Sequence, residues 1–109
     1  MEPATPGTIV IARVSCRPDK REQAIEMLTK LQDASRAEDG CLNYGFSVAI
    51  EDENAFIAVE EWADLAALQT HLREAHIAEF MAGLGDVIAG PPHLAMHTVS
   101  ETGPLPLGG

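Results

Sequence analysis

Apolar positions follow two rhythms along this chain. In Thr8–Cys16 (TIVIARVSC) they are nearly continuous and rich in β-branched residues. That predicts a first strand, with Ile9 and Ile11 on one face and Val10, Ala12 and Val14 on the other. Apolar residues on both faces imply that both are covered. Arg17-Pro18-Asp19 breaks the strand. The spacing then becomes three and four through Ala24, Ile25, Leu28, Leu31 and Ala34 or Ser35, the mark of an amphipathic helix. Asp19 with Glu22 fits a capping box at its start, and Gly40 fits a left-handed residue at its end.

The rhythm returns to two at Leu42, Tyr44, Phe46, Val48 and Ile50. These alternate with Asn43, Gly45, Ser47, Ala49 and Glu51, the strongest strand signal in the chain. Glu51–Asn54 reads as a turn and Ala55–Trp62 as the second arm of a hairpin. Asp64 can cap a helix with Leu65, Leu68 and Leu72 on one stripe. After a break near Glu74–His76, Ile77–Ile88 reads as a further helix, weakened by Gly83 and Gly85. Gly90-Pro91-Pro92 stops it, and His93–Ser100 (HLAMHTVS) reads as a last strand.

Strand, helix, strand, strand, helix, strand is the ferredoxin-like βαββαβ order, an α+β fold on a four-stranded antiparallel sheet. The expected organisation is a flexible lead-in over 1–7, a single domain over 8–100, and a flexible tail or dimer arm over 101–109. Helices cover one face of such a sheet. The scarcity of charge on the other face argues for a homodimer formed sheet to sheet.

Composition removes several function classes. With 109 residues and 46% hydrophobic content, the chain makes one modest core. A net charge of −10 disfavours nucleic acid and anionic membrane surfaces. It reads as a solubility feature. No apolar run approaches the ~18 residues of a membrane span. The start Met1-Glu2-Pro3 lacks the basic, then apolar, pattern of a signal peptide. Cys16 and Cys41 suggest reduced thiols and a cytoplasmic protein.

The side chains also narrow the chemistry. His93 and His97 share a strand face but stand roughly 13 Å apart. His71 and His76 would diverge by about 140° round a continuous helix, a poor pair of metal ligands. No glycine-rich phosphate loop follows a strand, and Ser15, Ser35 and Ser47 lie in no nucleophile-elbow context. No metal and no cofactor is expected.

Gly40–Phe80 is the most informative stretch. It holds the Gly-Cys-Leu-x-Tyr entry, Glu60-Glu61-Trp62, Ala67-Leu68, His71-Leu72, and His76 followed by Phe80. In this ordered set the chain resembles the antibiotic biosynthesis monooxygenase (ABM) family, with a weaker likeness over residues 8–100. The resemblance implies a dimeric α+β barrel. Activities of similar chains include cofactor-free oxidation of quinols and polyketide phenols, haem degradation, and isomerisation of a small phosphorylated signal. The haem-degrading branch is associated with an asparagine on strand one, and Thr8–Cys16 contains none.

The resemblance places His76 toward a pocket between helices and sheet, as the base that deprotonates a small aromatic substrate for reaction with O2. A helix-capping or interhelix hydrogen-bonding role is its other reading. Trp62 is a pocket wall or a core anchor. Asn43 can donate to a substrate oxygen or simply open its strand. Tyr44 and Phe80 are further candidate walls. Arg13 can hold an anionic group or pair with Glu60 or Glu61. The same scaffold suits an isomerase of a small hydroxy-ketone, or a non-catalytic small-ligand-binding module.

Overall fold

The computed structural model describes residues 4–108; residues 1–3 of the expected lead-in and residue 109 of the tail lie outside the described residues. The elements are β1 (Thr8–Ser15), α1 (Arg21–Arg36), β2 (Cys41–Ala49), β3 (Asp52–Trp62), α2 (Leu65–His71), α3 (Ala75–Leu84) and β4 (His93–Thr98). The strands form one antiparallel sheet in the order β2-β3-β1-β4. This is the expected α+β ferredoxin-like topology.

The two-residue rhythm sorts side chains between the faces of the sheet. Tyr44, Phe46, Phe56 and Trp62 turn inward to the helices. Cys16, Ala24, Leu28, Phe56, Leu84 and Val87 form one buried cluster. Leu31, Tyr44, Trp62 and Leu68 form the second. On the outer face Ile11 and Val59 remain 46% and 45% exposed, and Ile9 and Ile57 are half-buried. Among the described residues, no helix is long and apolar enough to cross a membrane.

Several local expectations change. Asp19 and Glu22 form no capping box: Pro18–Lys20 makes a short 3-10 turn, and Lys20 stands before α1 with no side-chain cap bond. Pro18 sits in the first turn, where its missing N–H costs nothing, so Asp19 falls inside the turn. The β2–β3 hairpin is tighter than Glu51–Asn54, because Ala49 already pairs with Asp52. Of the α2 stripe only Leu68 is buried; Leu65 and Leu72 are exposed. Helix α3 ends at Leu84 rather than Ile88. The chain beyond it returns to the end of β1, where Ile88 bridges Cys16.

Gly40 and Asp64 act as expected. Gly40 has φ +82°, and Asp64 Oδ1 accepts from Ala67 N–H at 2.8 Å. The Ala63 N–H also donates to the Gly40 carbonyl at 2.8 Å. These contacts tie the end of α1 to the start of α2.

Candidate functional site

Between the inner sheet face and the helices lies a cavity of about 300 Å³. That is the low end of small-ligand sites. Its walls are apolar, with Val10, Leu28, Phe46, Phe80 and Leu94 among them, and its polar lining consists of Tyr44, Glu60 and His71. Leu72, Met81, Leu94 and Met96 stand exposed round its rim.

Glu60 enters the cavity by strand parity. It lies two residues before Trp62, so both side chains face inward and Glu61 faces out. Glu60 is only 7% exposed. The Trp62 indole Nε1–H donates to its Oε1 at 3.0 Å. Burial pushes the Glu60 carboxyl up to about 7; the Trp62 hydrogen bond opposes the rise and the charge of Glu38 adds to it. Burial, then the charge of Glu60, likewise raises the Tyr44 phenol above its ordinary value.

His71 closes α2 and is 2% exposed. Its ring packs on Trp62, with centroids 4.4 Å apart and planes at 38°. Its Nδ1 lies 2.6 Å from Glu38 Oε2. Glu38 follows α1 in a turn held on both sides: its N–H donates to the Ser35 carbonyl and its own carbonyl accepts from Cys41 N–H. On the far side, His76 Nε2 lies 2.7 Å from the same Glu38 oxygen.

This convergence overturns the geometry expected for the histidines. The helix breaks between the two histidines, close to the break expected near Glu74–His76, so the divergence round a continuous helix does not apply. The chain leaves α2 at Leu72 and restarts α3 at Ala75, with Glu74 extended between them. The redirection turns both imidazoles onto one carboxylate. Glu38, His71 and His76 thus present three ligand-type atoms within 4.8 Å of one another. Tetrahedral ligands at zinc bond lengths stand about 3.3 Å apart. The 2.6 and 2.7 Å separations here are hydrogen-bond distances. As arranged, the three groups form a hydrogen-bonded unit.

The predicted site residues divide accordingly. Tyr44 and Phe80 line the cavity. Trp62 is fully buried and lies behind the lining, holding Glu60 and supporting His71, so it is not a wall. His76 does not line this cavity; it opens to a groove between α1 and α3. Asn43 is exposed on β2 and faces away from the cavity, opposite to its inward neighbour Tyr44. Arg13 pairs with Glu51 at 3.1 Å rather than with Glu60 or Glu61. It lies on the outer face, where the hairpin turn brings Glu51 within reach.

The antibiotic biosynthesis monooxygenase family model matches residues 8–83. The chain belongs to this family. It is 30% identical over 93 residues to YcnE of Bacillus subtilis, named a putative monooxygenase, covering 85% of this chain and 98% of that protein. It is also 30% identical over 94 residues to the protein sll1783 of Synechocystis, covering 86% of this chain but only 64% of that protein's length. A solved structure described as a putative antibiotic biosynthesis monooxygenase from Deinococcus radiodurans superposes with a TM-score of 0.84 at 23% identity. The match covers 90% of this chain and 97% of that one.

Three members of this site, Glu60, Glu38 and His71, are not among the candidates read from the sequence. Glu60-Glu61 looks like a solvated acidic pair, yet the Glu60/Trp62 spacing carried a signal for the first. Glu38 had none, because its position depends on how the α1 terminus turns.

Proposed function

We propose that the protein oxidises a small electron-rich phenol, quinol or anthrone-like compound with O2 and without a bound cofactor. The observation that carries this reading is the apolar cavity whose polar lining is Tyr44, Glu60 and His71. A carboxyl pushed up to about 7 at Glu60 beside the His71 imidazole in an otherwise apolar cavity suits acid–base chemistry on a weakly acidic substrate.

In this reading His71 replaces His76 as the base. A carboxylate only accepts hydrogen bonds, so Glu38 holds the proton of neutral His71 on Nδ1. The Nε2 lone pair then points away from Glu38 and takes a proton from the substrate. The substrate anion gives one electron to O2, and the resulting radicals combine through a new C–O bond. The peroxide recovers the proton from His71 and loses water together with the second hydrogen of the same carbon. For a methylene substrate the balance is closed: the methylene and O2 become a carbonyl and water. Glu60, protonated on the oxygen that Trp62 does not hold, donates to the substrate oxygen that gathers charge.

The same reading takes the protein as a cytoplasmic homodimer joined through the outer sheet face, where Ile11 and Val59 are exposed. Oxygen uptake with quinols and anthrone tests the chemistry. His71→Gln and Glu60→Gln are each expected to lower uptake about a hundredfold or more. Undiminished uptake in both variants would overturn the assignment. Binding without uptake would favour a ligand-holding module, and oxygen-independent rearrangement of a hydroxy-ketone would favour an isomerase.

A further inference from the structure

We propose that Glu38 and His76 form a proton outlet leading from the cavity base His71 to the groove between α1 and α3. This rests on the reading of His71 as the base. It adds a route by which that base communicates with bulk water while substrate fills the cavity.

The three groups form a continuous hydrogen-bonded line. His71 Nδ1 and His76 Nε2 lie 2.6 and 2.7 Å from the same Oε2 of Glu38. Side-chain exposure rises along it, from 3% at His71 through 10% at Glu38 to 21% at His76. The inner end lines the apolar cavity. The outer end lines a separate groove of about 330 Å³ whose other polar residues are Gln23, Glu26, Lys30 and Glu79. Leu31 and Phe80 border both spaces, so the wall between them is apolar on either side of the line.

Water exclusion makes such a route useful. A substrate that fills the cavity displaces the water through which His71 would otherwise exchange its proton. A proton taken at His71 Nε2 leaves a proton on Nδ1 free to pass to Glu38 Oε2. While Glu38 is ionised, His76 also donates its Nε2–H to Oε2. The outward step uses the other neutral tautomer of His76, with its proton on Nδ1. In that tautomer Glu38, once protonated by His71, donates to Nε2, and the Nδ1 proton leaves into the groove. One proton enters and one departs, with no change in oxidation state. Glu38 also offsets the charge of a buried imidazolium while the proton is in transit.

Anaerobic incorporation of deuterium into the anthrone methylene, measured in D2O beside aerobic oxygen uptake, tests the outlet. Without O2 the bound anion persists, so label enters only if the base exchanges with bulk water. The wild-type protein is expected to exchange. His76→Gln keeps an N–H donor toward Glu38 but has no ring to pass a proton. It is expected to lower exchange relative to turnover about tenfold or more. Glu38→Gln, of nearly the same size, is the second variant and is expected to do likewise.

Unchanged exchange in both folded variants would overturn the outlet, since a merely structural hydrogen bond survives the glutamine at position 76. Wild-type turnover of anthrone without exchange would overturn it too, and would leave the oxygenation reading standing. Undiminished turnover in His71→Gln, or neither turnover nor exchange in the wild type, would count against the base assignment itself and the outlet with it.

Discussion

The indole of Trp62 donates its Nε1–H to Glu60 Oε1 at 3.0 Å, and both side chains come from the same face of β3. The sole tryptophan therefore serves the site from behind. It holds a carboxyl that burial has pushed up to about 7, and it presses on the His71 ring at 4.4 Å. Both cavity-facing groups owe their position to one residue that does not line the cavity.

Trp62→Phe removes the donor and keeps an aromatic ring. The hydrogen bond lowers the Glu60 pKa, so its loss is expected to move the carboxyl titration further up. Lost packing and an unmet buried acceptor are expected to cost about 2–4 kcal/mol in urea unfolding. Carbon-13 NMR of the carboxyl reads the titration. A midpoint that stays or falls would refute the coupling.

The same carboxyl sets a pH dependence of stability. Its pKa is about 7 in the folded state against an ordinary 4.5. Between those values the native protein holds a proton that the unfolded chain has lost. Stability from this group is therefore greatest below about 4.5 and falls as pH rises through 7. The difference is on the order of 3 kcal/mol. Glu60→Gln is expected to remove that fall, so the wild-type and variant urea curves should diverge across the window. Parallel curves would mean that Glu60 ionises normally.

Gly40 controls where Glu38 sits. At φ +82° an L side chain is strained, and an added Cβ would lie 2.6 Å from the Ala67 Cβ. Gly40→Ala is expected to cost about 2 kcal/mol or more. Because the shift falls between Glu38 and α2, it is also expected to lower oxygen uptake. A stable, fully active Gly40→Ala protein would show that the clamp is dispensable.

The sequence carried the sheet almost completely, because strand parity and helix spacing are local properties. Tyr44 and Phe46 inward, the left-handed Gly40 and the Asp64 cap were all readable. The site was less so. His76 was the more prominent histidine in the pattern, yet His71 reaches the cavity. The sequence marked a break near Glu74–His76, but not how the chain turns at Leu72–Glu74, and that turn decides which imidazole reaches the cavity. Arg13 and Asn43 stand on the face opposite Tyr44 and the inward residues of β1. There the ion-pair and strand-entry readings suit them, rather than the substrate-binding ones. The partner of Arg13 is Glu51 because the hairpin turn is tighter than the sequence indicated.

The outer sheet face yields the last prediction. Ile9 and Ile11 on β1 alternate with inward residues, and their cross-strand partners on β3 are Glu61 and Val59. With Ile57 they form an apolar band on the face opposite the helices. Arg13 and Glu51 pair at 3.1 Å nearby, and Glu61 stands at the end of the band opposite Ile9. Such a band is costly to leave in water and suits a second copy of the same surface. Ile11→Asp places a charge within the band without touching the inner core. It is expected to shift the sedimentation coefficient from dimer to monomer at micromolar concentration. A monomeric wild type, or a variant that sediments as the wild type does, would refute a dimer joined through this face.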